Sequence, residues 1–209
     1  MRVGIGCTTY NRPECLAKWK KQVAKHTNMD NVLIYIADDS QERKGVAFRK
    51  NECLRSLKDC DYVFLFDDDC YPVEDGWVDY FIQHAKGEHC LFMDSKRHAV
   101  IAKKSDTFHY YADCGGVFMF LTKEHIERVG AFNEEFSPWG FEHAEYSQRI
   151  YGKPNYYLEL RGTKYYLFAE DYNNPNHKSS ISSAEREKYV RKNWDKYFNN
   201  KKKIVYLPL

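Results

Sequence analysis

The sequence predicts an α/β fold: one domain built on a mainly parallel sheet with helices on its flanks. Three observations predict it. Short apolar runs rich in Val, Ile and Phe alternate with amphipathic stretches through the first half, the pattern of β-α-β units. Three of these runs end in polar clusters, and in open parallel sheets ligands bind beyond the carboxyl ends of the strands. At 209 residues the chain has room for one sizeable core and not for two of ordinary size.

The elements follow in order. Val3 to Thr8 reads as a first strand, and Asn11 then stands as N-cap of a helix with Pro13 in its first turn, running to about His26. Asn31 to Ala37 is a second strand ending at Asp38 and Asp39. Lys44 to Leu57 carries apolar Val46, Ala47, Leu54 and Leu57 at helical spacing. Tyr62 to Phe66 is the third strand, and it delivers Asp67, Asp68 and Asp69. Glu74 to Ala85 reads as helix and His89 to Asp94 as strand. Gly115 and Gly116 precede the apolar run VFMFL, after which Thr122 caps a short helix that Gly130 ends. Residues 141 to 151 form a further helix stopped by Gly152. The runs YYLEL (156–160) and KYYLFAE (164–170) suggest a late hairpin, and Ser182 with Glu185 forms a capping box for a last helix towards Asn199. No linker, repeat or low-complexity stretch divides residues 1–209.

Composition narrows the class. A net charge of +2 argues against a global field for nucleic acid, although Lys201, Lys202 and Lys203 form a local basic run. The 7 cysteines are odd in number, scattered and without a C-x-x-C pair, so they read as reduced thiols of a cytoplasmic protein. No stretch approaches the roughly 20 apolar residues of a membrane span, and the N-terminus lacks the pattern of an export signal. The expectation is a soluble protein with neither export nor anchoring encoded.

Asp67, Asp68 and Asp69 pose the chemical question. Crowded carboxylates raise one another's pKa values and cost stability unless a cation sits between them. A solvated acidic turn is the plain alternative; a divalent metal is the functional one. If the strand stays extended, Asp67 and Asp69 share a face. Oxygen ligands suit Mg²⁺ or Mn²⁺ rather than zinc.

The order TTYNRP, a strand ending in ADDS, GVAFRKN and a strand ending in DDD resembles the nucleotide-sugar half of GT-A-fold glycosyltransferases, especially the family 2 type. The segment CGGVFMFLTKEHIERVGAFNEEFSPWGFEHAEYSQRI is similar to the acceptor side shared with β-1,4-galactosyltransferases and polypeptide GalNAc-transferases. The resemblance spans about residues 3 to 150. It implies a Rossmann-like GT-A domain, with residues 1–70 as the nucleotide-binding half and 71–209 as the acceptor half. It also implies Mn²⁺ or Mg²⁺ and a UDP-sugar donor.

Residue by residue, the resemblance makes Asp69 a direct metal ligand, lets Asp67 reach the ribose or the metal through water, and leaves Asp68 in support. Thr8, Tyr10 and Arg12 match the loop that wraps the nucleotide. Asp38 or Asp39 matches the acidic residue that reads a uracil, and Arg49 and Asn51 match the "RN" pair near the diphosphate. His177 is the candidate third metal ligand. In the WGFEH stretch, Trp139, Gly140 and Phe141 would meet the acceptor, and Glu142 or His143 would act at its hydroxyl. Inverting relatives carry "WGxED", but here His143 replaces the Asp that usually serves as base, so inversion and retention both stay open. A histidine with an ordinary pKa near 6.5 accepts a proton readily. Tyr146 reads equally as core or as a stacking face, and Trp77 as core.

The implied acceptor is a glycan, with a protein or a hydroxylated DNA base left open. Two other functions compete: an acidic metal- and carbohydrate-binding module without catalysis, and a haloacid-dehalogenase-type phosphatase, whose D-x-D-x-T motif fails here at Tyr71. A dinucleotide fold fails at Thr9, where the third glycine of G-x-G-x-x-G belongs.

Overall fold

A computed structural model describes residues 1–93, 96, 98, 100–101, 105–199 and 204–209. Lys201 to Lys203 and Asp94 lie outside the described residues, and with them the basic run and the end of the strand expected over His89 to Asp94. Strands β1 (Val3–Thr9), β2 (Val32–Asp38) and β3 (Tyr62–Asp67) pair in parallel in the order β2-β1-β3. Helix α1 (Pro13–His26) connects β1 to β2, and α2 (Val46–Ser56) connects β2 to β3. Strand β1 is buried along its whole length, as expected of a central strand covered on both faces. Trp19 and Val23 of α1 cover one face, joined by Trp77 and Phe81 of helix α3 (Trp77–His84); Trp77 is core, as expected. Ala47, Cys53 and Leu54 of α2 cover the other. Gly6 allows this close approach, since a Cβ there would stand 2.9 Å from Cys53 Cβ.

After Asp67 the chain turns through Asp68 and Asp69 into a short strand β4 (Cys70–Pro72). Following α3, strand β5 (Cys90–Leu91) forms the far edge of the main sheet. Two short strands, β6 (Val100–Ile101) and β7 (Phe108–Tyr111), pair with each other outside it. Strand β8 (Phe118–Thr122) enters the sheet antiparallel between β3 and β5, giving the order β2-β1-β3-β8-β5. Four of its five strands run one way and β8 alone runs against them, so the sheet is mainly parallel. Helix α4 (Lys123–Val129) starts on a capping box between Thr122 and His125 and ends at Gly130, at φ 72°. Helix α5 (Glu142–Tyr151) ends at Gly152, at φ 67°. Tyr146 of α5 is fully buried and stacked on Phe132 at 4.0 Å, so it belongs to the core.

Two local expectations are corrected. Asn11 does not cap α1: it takes φ 51°, its N–H bonds Ser40 Oγ, and Arg12 holds the N-cap position without a side-chain cap. The late hairpin does not form. Strand β9 (Tyr157–Leu160) pairs antiparallel with β7, and a left-handed Gly162 followed by one turn of helix, α6 (Thr163–Tyr166), turns the chain away. Strand β10 (Leu167–Ala169) then pairs with β4, ahead of a short α7 (Glu170–Asn173). The last helix, α8 (Ser183–Asn199), has the expected Ser182 cap, whose Oγ accepts the Glu185 N–H at 3.2 Å, but the Glu185 carboxylate pairs with Arg43 instead of closing the box.

Candidate active site

The carboxyl ends of β1 and β3 meet at the rim of the sheet. Thr8 Oγ1 donates to Asp67 Oδ1 at 3.0 Å and Thr9 Oγ1 to Asp68 Oδ2 at 2.5 Å, which pins the two strand ends together. Because β3 ends at Asp67, the expected common face of Asp67 and Asp69 does not exist. Asp67 turns towards α2, while Asp68 and Asp69 share the guanidinium of Arg12. Arg12 Nη1 lies 2.7 Å from Asp69 Oδ2, and Asp68 is paired through Nη2. The charge crowding at the cluster is therefore relieved in part by this chain's own arginine, held over it from the start of α1. Arg12 lies over the carboxylates as well as along the cleft that its expected nucleotide role requires.

The three carboxylates diverge electrostatically. Burial raises Asp68 to about 7 against the pull of Arg12 and Thr9, and burial also raises Asp67 against Lys50. At Asp69 burial is outweighed by the hydrogen bond from His177 and by Arg12, so its pKa is lowered. His177 Nε2 lies 3.0 Å from Asp69 Oδ2, while Asp69 Oδ1 is buried without a partner. A free carboxylate oxygen beside an imidazole fits a hard or borderline divalent cation such as Mn²⁺. Among the described residues no three His, Cys, Asp or Glu side chains gather into a complete metal site, so phosphate oxygens and water would fill the remaining positions, as is usual for Mg²⁺-type sites. Asp67 stands apart from this pair.

A cleft opens beside the rim. It is lined by Thr8, Tyr10, Arg12, Asp39, Arg49, Asp67 and Trp139, so most of the expected nucleotide residues do converge. Arg43 stacks over the Tyr10 ring at 5.4 Å. Asp38, Asn51 and Asp68 do not line it. Asp38 is exposed and only closes the turn at Ser40, whose N–H it accepts at 2.9 Å. Asn51 faces away from the cleft, exchanging bonds with the Phe132 backbone at 2.7 and 3.1 Å and reaching Glu134 at 2.8 Å. Arg49 touches the cleft but is committed to Asp39, Glu42 and Glu52 at 2.7–2.9 Å. Asp39 in turn accepts from the N–H groups of Lys44 and Gly45 and from Arg49, so its main task is to hold the entry of α2.

The residue missed between Arg49 and Asn51 is Lys50. It is only 1% exposed, with its ammonium 3.1 Å from Glu142 Oε1, 3.2 Å from the Gly116 carbonyl and 3.9 Å from Asp67 Oδ1. This cation joins the donor-side carboxylate to the acceptor-side helix. Glu142 Oε1 also meets His143 Nδ1 at 3.1 Å, and His143 Nε2 faces the Cys114 carbonyl at 3.3 Å. Gly116 makes room for that ring, since a Cβ there would lie 2.6 Å from His143 Nδ1. Burial opposes the charged form of His143, yet Glu142 and Cys114 outweigh it and push its pKa up to about 10. His143 therefore holds its proton at neutral pH, contrary to the free base expected of an unperturbed histidine. Burial of Glu142 is likewise outweighed by Lys50 and His143, which keep it ionised, and its Oε2 is buried without a partner.

Trp139 and Gly140 precede α5, and Phe141 occupies its N-cap in the left-handed region at φ 73°. A second residue the sequence did not reveal, Asn193 of α8, fixes this loop. Fully buried, its Nδ2 lies 2.7, 2.8 and 3.0 Å from the carbonyls of Phe136, Trp139 and Gly140, so its two N–H groups are shared among three oxygens. His89 is fully buried between the Phe120 carbonyl and Ser147, and burial with His125 nearby lowers its pKa to about 3.

Comparison with known proteins agrees with this architecture. Residues 95–177 match the family model described as the N-terminal domain of galactosyltransferase. Among solved structures the chain is similar to GalNAc-T7 with UDP, GalNAc and Mn²⁺, with TM-score 0.63, 13% identity, and coverage of 94% of this chain and 50% of that one. It is similar to TarS of S. aureus, with TM-score 0.59, 12% identity, and coverage of 95% and 44%. It is also similar to the mannosyltransferase PcManGT from Pyrobaculum calidifontis in complex with GDP-Man and Mn²⁺, with TM-score 0.54, 14% identity, and coverage of 71% and 51%. The chain spans about half the length of these structures. No curated protein matches it in sequence. The fold is the GT-A fold, and the glycosyltransferase class expected from the sequence agrees with both the fold and the matched segment. No helix among the described residues is long and apolar enough to cross a membrane.

Proposed function

We propose that this chain transfers a sugar from a nucleotide diphosphate donor, a UDP-sugar, to a hydroxyl acceptor, with Mn²⁺ or Mg²⁺ at Asp69 and His177. The observation that carries this reading is the unpartnered Asp69 Oδ1 beside His177, in a pocket that adjoins, through Arg12, the cleft lined by Thr8, Tyr10 and Trp139. The solved structures above that contain UDP or GDP-Man with Mn²⁺ support the choice of donor and metal class. When bound, the cation neutralises charge on the departing diphosphate.

The chain's own residues divide the remaining work. Residues 1–70 hold the nucleotide, with Tyr10 and Trp139 offering ring faces and Asp39 a remaining lone pair to a base. Arg12 carries positive charge to the phosphates from the N-cap of α1. Lys50 sets the charge of Asp67 and Glu142 together, so the donor and acceptor sides share one counter-ion. Residues 71–209 hold the acceptor. Glu142, kept ionised, offers Oε2 as the hydrogen-bond acceptor for its hydroxyl, and His143 stays protonated and holds Glu142 in place. A glycan acceptor is the reading supported by the galactosyltransferase segment, and the 7 free cysteines support a reducing, cytoplasmic setting.

The test is release of UDP from a panel of UDP-sugars in the presence of Mn²⁺, with and without sugar acceptors. Turnover with at least one donor, lowered by two orders of magnitude or more in Glu142→Gln, is the expected result; each removed transition-state interaction of this kind is worth about a hundredfold. No release with any donor, or full activity in Glu142→Gln, contradicts the assignment.

A further inference from the structure

On the far side of Trp139 from the donor cleft lies a second, larger cleft, which also reaches His143. Its wall is aromatic: Trp139 and Phe141 at the start of α5, Tyr157 of β9, and Trp194, Tyr197 and Phe198 of α8. Trp194 and Phe198 stand one helical turn apart, with ring centroids 4.3 Å apart, and are 52% and 49% exposed. Tyr197 leans on Phe141 at 5.4 Å, and its hydroxyl meets that of Tyr157 at 3.1 Å.

The aromatic wall itself offers few polar partners, while His98, Asp113 and Asn155 line the rest of the cleft. Both ring nitrogens of His143 already face acceptors, and the two tyrosine hydroxyls face each other. A bare saccharide presents several hydroxyls per ring, and each one buried without a partner costs about 1–3 kcal/mol. An aromatic ring loses nothing of this kind and gains about 25 cal/mol for each Å² it covers. A second copy of the chain is a poorer occupant. The two half-exposed rings offer on the order of 200 Å², against roughly 800 Å² per partner in a standard interface. The cleft is also continuous, through Trp139, with the donor side.

Resting on the glycosyltransferase reading, we infer that the acceptor is an aryl-bearing alcohol: its hydroxyl lies at the Trp139–His143 end, and its aromatic group lies against Trp194 and Phe198. The α8 wall then selects the acceptor, and it does so through an apolar group rather than through a second sugar.

Calorimetry with two probes tests this directly: phenyl and methyl β-D-glucopyranoside, titrated into the protein holding UDP and Mn²⁺. The expected result is at least about tenfold tighter binding of the phenyl glycoside, a difference of about 1.4 kcal/mol. That preference should fall below threefold in Trp194→Ala and in Phe198→Ala, whose side chains are too exposed to threaten folding. Equal affinity for both probes, or a preference unchanged in both variants, overturns the inference. A dimer in the wild type that dissociates in Trp194→Ala also overturns it, because a second copy then covers the wall. Binding is read without turnover. Failure of sugar transfer with the phenyl preference intact therefore contradicts the enzymatic reading, whereas transfer without the preference contradicts the acceptor class.

Discussion

Replacing Lys50 by Met tests the buried ion network at its centre. Met keeps the length and apolar body of the side chain and removes the charge. Lys50 and Glu142 are 1% and 3% exposed, so the change leaves a carboxylate in the interior rather than at the surface. Breaking a buried pair from one side costs about 3–5 kcal/mol, whereas an exposed pair contributes about 0–1 kcal/mol. Glu142 keeps His143 at 3.1 Å, which places the expected loss at the lower end, about 3 kcal/mol. For a chain of this size that is a fall in Tm of about 6–12 °C. Urea denaturation of Lys50→Met, Glu142→Gln and the double variant completes the cycle. The double variant should be more stable than the sum of the single losses by about 2–3 kcal/mol, because neither Lys50 nor Glu142 is then left buried opposite a neutral partner. A loss below about 1 kcal/mol in Lys50→Met, or additive losses in the double variant, refutes the coupling of the two sides of the site through this ammonium.

Other expectations concern the acceptor side. Asn193→Ala leaves the buried carbonyls of Phe136, Trp139 and Gly140 without their donor, so it should cost about 1–3 kcal/mol by urea denaturation and raise the donor KM more than it lowers kcat. An unchanged KM removes Asn193 as the clamp on the Trp139 loop. His143, raised to about 10, stabilises the fold fully below its unfolded value near 6.5 and loses that contribution as pH rises through 10. Stability should therefore fall between pH 6.5 and 10 more steeply in the wild type than in His143→Gln, by up to about 1.4 kcal/mol per pH unit. Parallel slopes mean that the histidine is not held protonated.

The sequence made the sheet and its rim legible because the signals there are local. An apolar run ending in three carboxylates is anomalous wherever it occurs, and the Thr8–Thr9 and Asp67–Asp69 ends do meet. The late hairpin was misread because adjacent apolar runs imply adjacent strands. Partner choice was set instead by the turn at Gly162 and by long-range pairing to β7 and β4, which no local pattern encodes. Lys50 and Asn193 escaped for one reason: a polar residue inside an amphipathic helix reads as solvated surface, and only the distant partners they meet, Glu142 at the start of α5 for Lys50 and the Trp139 loop for Asn193, show that they are buried. His143 was misjudged in charge rather than in place, since the sequence does not show that both its ring nitrogens face acceptors.

The central claim is that Asp69 and His177 hold a divalent cation together with the donor diphosphate. Crystals grown with Mn²⁺ and UDP, measured for manganese anomalous scattering, test it most directly. A peak bonded to Asp69 Oδ1 and His177 Nε2 and to both phosphates is the predicted result. UDP lying in the Thr8–Trp139 cleft with no manganese beside Asp69 contradicts the account.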